Sequence, residues 1–156
     1  MSIRVVSNSN NALDLVKAIY TGAPPTITLT GSASIAKFGT KVIDTHSAYS
    51  ASSGVFTVPA AGAGSYDVDA ACAFTGTTIV SGALTLQIFI NGTVARSVSS
   101  RDDVIALTAS KYVSVRGVFD LVAGDTIDIR AASARTGPSF TSTASENYVH
   151  IIRRSA

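Results

Sequence analysis

Apolar and polar residues alternate along most of this chain, and the alternation defines its elements. From Tyr66 the side chains of Tyr66, Val68, Ala70, Cys72 and Phe74 fall on one face, with Asp67, Asp69, Ala71 and Ala73 on the other. That pattern predicts a half-buried antiparallel strand over 65–75. A short strand over 55–58 precedes it and ends at Pro59, whose missing N–H suits a strand end. Gly62 and Gly64 supply the backbone freedom that a sharp corner needs.

The sharpest local signal lies between Ala83 and Val98. Leu84, Leu86, Ile88 and Ile90 alternate with Thr85, Gln87 and Phe89, and a second β-patterned run begins at Thr93. Asn91-Gly92 stands between them, which predicts a type I′ hairpin, because that turn needs positive φ at both central residues. Phe89 lies on the opposite phase from the leucines and is expected to face a partner sheet or subunit. A long strand follows over 112–122, interrupted by Gly117 as at a bulge or a close backbone approach. Ala123-Gly124-Asp125 turns the chain into a return strand over 126–131. The last strand, 147–153, carries Tyr148, His150 and Ile152 on one face and Val149 and Ile151 on the other. A strand apolar on both faces is expected to be covered on both. A further strand is predicted over 38–43, with a polar loop holding Tyr49 over 44–53 and a Gly/Pro/Ser/Thr loop holding Phe140 over 135–145.

Residues 1–35 read differently. Asn10 or Asn11 caps a brief predicted helix from Ala12 to Tyr20, with Asp14 in its first turn and Gly22 and Pro24-Pro25 stopping it. Leu13, Val16 and Tyr20 share one face, with Ile19 beside them. A helix this short needs something to pack on. Two readings stand side by side: it packs on its own sandwich, or it is an arm that docks on a neighbour through Leu13, Val16, Ile19 and Tyr20.

Composition narrows the class. The 156 residues suit one domain with a proper core. Charged residues make up 14%, well below the roughly 25% of an average soluble domain, which favours assembly over an isolated surface. A surface of Ser, Thr, Asn and Gly is the other way to reach that figure. The net charge of +2 is scattered, with only Arg153-Arg154 adjacent, so no nucleic-acid partner is expected. No apolar run is long enough for a membrane helix, and no secretory signal pattern opens the chain. The single Cys72 sits on an inward phase and reads as an inert core thiol.

The order aromatic, proline, glycine turn, Tyr-x-Val over Phe56 to Val68 resembles the central signature of the complement one-q and tumour-necrosis-factor superfamily. The run Leu121-x-x-Gly124-Asp125-x-Ile127-x-Ile129 resembles it again. Together the matches cover about residues 36–153. The resemblance implies an all-β, two-sheet antiparallel jelly-roll sandwich over 36–156, preceded by a short N-terminal arm, 1–35, containing one brief helix. Small-residue-rich members look most like versions found in tailed-phage virions. The expected function is therefore a homotrimeric virion protein that decorates or cements a phage head. Its partners would be itself and a major capsid or other virion protein. The alternative is a receptor- or carbohydrate-binding fibre tip, with Tyr49, Tyr112 and Phe140 as a sugar platform. Phe89, Val118, Tyr148, Val149 and Ile151 are the expected trimer contacts.

No catalytic motif emerges. Asp44-Thr45-His46-Ser47 collects an acid, an imidazole and a hydroxyl, but neighbours in sequence do not converge on one reacting atom. No Cys/His/Asp cluster has zinc spacing, and Asp67, Asp69, Asp102, Asp103 and Asp128 lack the spacing of a calcium loop. Neither enzymatic activity, nor a metal, nor a cofactor is expected.

Overall fold

The computed structural model describes residues 16–22, 31–75, 82–102, 111–134, 139–140 and 144–155. In chain order these form β1 (Lys17–Thr21), β2 (Ser34–Ile35), β3 (Thr40–Asp44), β4 (Tyr49–Ser50) and β5 (Val55–Thr57). There follow β6 (Gly64–Thr75), β7 (Gly82–Ile90), β8 (Thr93–Asp102) and β9 (Lys111–Leu121). The series ends with β10 (Thr126–Ser133), β11 (Ser139–Phe140), a short 3-10 turn at Ala144–Glu146, and β12 (Tyr148–Ser155).

These strands make a sandwich of two antiparallel sheets. In the first, β9 pairs one edge of β6, while β12 and β11 share the other edge, and β1 and β3 follow beyond β12. The second runs β4, β5, β10, β7, β8, with β2 extending the line of β5 along β10. Successive strands change sheet at β1 to β2, β2 to β3, β3 to β4, β5 to β6, β6 to β7, β8 to β9, β9 to β10 and β10 to β11.

The inward phase of β6 is the one the alternation predicts: Tyr66, Val68, Ala70, Cys72 and Phe74 are all fully buried. Leu84, Leu86 and Ile88 of β7 and Ile127, Ile129 and Ala131 of β10 face them from the second sheet and close the core. Phe56 meets Tyr66 edge-on across the sandwich, with ring centroids 5.9 Å apart. The Asn91-Gly92 turn takes the predicted form, with φ of 51° and 75°. Gly117 marks a close approach and not a bulge: β9 stays in register with β6, and a Cβ on Gly117 would collide with the Phe119 ring. Burial drives the Cys72 thiol strongly upward, so it stays protonated.

The predicted helix is corrected. Its C-terminal residues, 17–20, belong to strand β1, hydrogen-bonded between β12 and β3. Val16, Ala18 and Tyr20 point into the core, and Lys17, Ile19 and Thr21 point outward. The run Val-Lys-Ala-Ile-Tyr fits period 2 as well as a helical stripe, and pairing on both edges decides for strand. The part of the expected arm covered by 16–22 is thus integral to the sandwich, while Ala12, Leu13 and the start of the predicted helix lie outside the described residues. Ile88→Ala is expected to cost about 2–5 kcal/mol in urea unfolding, as for a fully buried isoleucine.

Candidate functional site

Among the described residues the side chains that meet solvent in an organised group lie on the outer face of the first sheet. Tyr112 and Val118 of β9 are each 55% exposed there. The register aligns Val118 with Asp67 and Ile152, and Arg116 with Asp69, His150 and Ile19. Tyr148 stacks on His150 with centroids 4.7 Å apart, and Tyr112 donates its hydroxyl proton to Glu146. Ala71 and Ala73 share this phase and are themselves buried. At the sheet edge, Val42 is 61% and Ile43 37% exposed.

Charge on this face comprises Lys17, Asp69 and Asp120 and a cluster that the sequence did not reveal. Asp67 takes two bonds from Arg116, at 3.0 and 2.6 Å, and a third from Arg154. Hydrogen bonding to Arg116, helped by Arg154 and opposed by burial, brings the Asp67 carboxyl down to about 2. Only the cross-strand diagonal joins these residues, so register was the missing signal.

The predicted trimer contacts divide. Val118 and Tyr148 lie on the outer face. Val149 and Ile151 do not: they are 1% exposed and share the inward phase of the sheet with Ala70 and Val68. Both phases of β12 are apolar, and strand phase cannot be read when neither face is polar. Phe89 does point out of the second sheet, but its own chain covers it. The Arg130 guanidinium lies 3.9 Å above its ring, and Arg130 is held by Asp128 through bonds of 2.5 and 3.1 Å. Of the predicted docking residues, Val16 and Tyr20 are committed to the core, and Ile19 sits half-buried on the outer face. Leu13 lies outside the described residues.

The sugar platform is corrected as well. Tyr49 and Phe140 are buried, the latter 5.3 Å from Phe74, and of the three only Tyr112 is exposed. Asp44-Thr45-His46-Ser47 is a structural loop. Asp44 accepts from the amides of Ala48 at 2.9 Å, Tyr49 at 3.0 Å and His46 at 3.3 Å, and from the Tyr20 hydroxyl at 3.1 Å. Burial works to raise the Asp44 pKa, but those donors outweigh it and hold it below the ordinary carboxylate value. The Tyr20 and Tyr49 rings lie 4.4 Å apart, and the Tyr49 hydroxyl accepts from the Phe38 amide. An open cleft of about 730 Å³ borders this loop, lined by His46, Ser47, Ser50, Thr57 and Pro59 among others. Among the described residues no three His, Cys, Asp or Glu side chains are grouped as a metal site. Neither a protein-family model nor a curated protein matches this sequence.

The loop gives a pH signature. Burial, and for Tyr20 the Asp44 carboxylate, push both phenols up to about 12. The stability they contribute is complete below the ordinary phenol value of 10.0 and is lost as the pH rises through about 12. Asp44 acts in the opposite sense: its contribution is present above 3.8 and is lost as the pH falls through its lowered value. Urea midpoints measured against pH should fall at both ends. Tyr20→Phe should cost about 1 kcal/mol at neutral pH and shrink the alkaline fall.

Proposed function

We propose that this chain is a structural protein of a phage particle, a jelly-roll subunit that assembles as a homotrimer and decorates or cements the capsid shell. The observation that carries this reading is the outer face of the first sheet. There Tyr112, Val118, Tyr148, Ile152 and Ile19 share one phase, beside the Asp67–Arg116–Arg154 cluster. Two antiparallel sheets exchanging strands five times between β5 and β11 suit a jelly-roll winding. The virion setting follows from the resemblance of the Phe56–Val68 and Leu121–Ile129 runs. Trimer contacts belong to the phase of Val118 and Tyr148, in place of Val149 and Ile151. Shell docking by the arm is assigned to residues ahead of Val16, Leu13 among them, because Val16 and Tyr20 are consumed in the core. A fibre tip that binds sugar is not favoured, since two of its three aromatics are buried.

Val118→Asp is expected to leave the fold intact, because Val118 is 55% exposed in the single chain. It should weaken trimer association by on the order of 100-fold, because a charge would enter a desolvated contact. Light scattering at micromolar concentration reads the outcome. A stable wild-type monomer would remove the trimer, and equal binding of wild type and Val118→Asp to undecorated shells would remove its role in decoration.

A further inference from the structure

Two turns meet at one end of the sandwich. Asn91 opens the β7–β8 turn, and its side chain reaches across to the β9–β10 turn. Its Nδ2 donates to Asp125 Oδ1 at 2.8 Å. Its Oδ1 accepts from the Thr126 amide at 2.8 Å and from the Thr126 hydroxyl at 3.3 Å. The Asn91 amide also donates to the Thr126 carbonyl, and Asp125 Oδ2 accepts from the Val122 amide, so each turn fixes the other. Yet Asn91 and Gly92 are exposed, and a Cβ on Gly92 would meet nothing within 4 Å.

We propose that Asn91 is a latent deamidation site, kept slow by this clasp. An asparagine followed by glycine has the least hindered path to a cyclic imide. The Gly92 backbone nitrogen attacks Asn91 Cγ and gives up its proton. The Cγ–Nδ2 bond then breaks and ammonia leaves. Water opens the imide at either carbonyl, giving aspartate or isoaspartate. Ring closure requires the Gly92 nitrogen to lie on the same side as Asn91 Cβ. Asn91 has φ of 51°, in the left-handed region where ψ is about +47°. That rotation turns the Gly92 nitrogen away from Cβ, and the three side-chain bonds hold Cγ against the neighbouring turn. Reaction therefore waits for the clasp to open. It is also self-reinforcing, because a carboxylate at position 91 would face Asp125 and lose the Nδ2 donor.

The test is peptide mapping by mass after incubation in mildly alkaline buffer, reading the replacement of NH2 by OH at residue 91. Folded wild type is expected to convert far more slowly than the same chain in urea. Asp125→Ala, which removes the Nδ2 acceptor, should convert about tenfold faster than wild type, the factor given by losing one hydrogen bond to a charged group. Thr126→Val removes only the hydroxyl donor, remains available if Asp125→Ala does not fold, and should give a smaller increase. Equal rates in folded and urea-unfolded wild type would overturn protection. A folded Asp125→Ala protein, or in its place a folded Thr126→Val protein, that converts at the wild-type rate would overturn the role of the clasp.

Discussion

Strand β6 is hydrogen-bonded along both edges, by β9 on one side and by β12 and β11 on the other, so its two faces must serve two different environments at once. A slip of one residue would carry Asp67 and Asp69 into the core and expose Tyr66, Val68 and Phe74. That penalty fixes its register, and the register fixes the rest. Ile151 is placed against Val68 and Val149 against Ala70, which in turn sets the inward phase of β1 through Ala18 and Tyr20. The Pro59–Gly64 corner holds the entry to β6: Gly62 donates to the Pro59 carbonyl, the Tyr66 hydroxyl donates to the Gly62 carbonyl, and Arg153 reaches the carbonyls of Ala61 and Ala63.

With the inward phase committed, charge has to be handled on the outside. Asp67 is matched by two arginines from the flanking strands, and Asp128 by Arg130. Arg130 has a second effect: lying across Phe89, it covers an aromatic ring that the hydrophobic effect would otherwise drive toward another surface. An apolar residue on an outward phase is therefore not by itself a contact. What lies over it decides, and the cover here comes from β10, a strand distant in sequence.

Legibility in the sequence followed how unlike the two faces of each element are. In β6 and β7 one phase is apolar and the other, Phe89 apart, is polar or small, and both strands, their inward residues and the Asn91-Gly92 turn were readable. In β12 both phases carry large apolar residues, and contacts were expected from both, whereas Val149 and Ile151 are buried in the core. In β1 five residues satisfy helical and strand periods alike, and pairing between β12 and β3 settled what local propensity could not. The Asp67 cluster and the Asp44 loop depend on cross-strand diagonals and on amides brought together by folding, neither of which a linear pattern contains.

The low charge of the chain admitted two explanations, an assembling surface or an uncharged polar one, and the two sheets divide them. On the second sheet, Thr85 pairs with Ser99 at 2.9 Å and Gln87 with Ser97 at 3.4 Å. Its outward phase carries those hydroxyls and the amide together with the Asp128–Arg130 pair, Phe89 under Arg130, and Val94, which is 46% exposed. On the first sheet the outward phase sets Tyr112, Val118, Tyr148, Ile19 and Ile152 beside Lys17, Asp69, Asp120, His150 and the Asp67 ion cluster. Removing that surface from water is favourable at roughly 25 cal/mol per Å² of apolar area, whereas the hydroxyl lattice would have to give up hydration for no comparable return. The two faces thus differ in how much apolar area they expose, and it is the sheet built around β6 on which the proposed trimer rests.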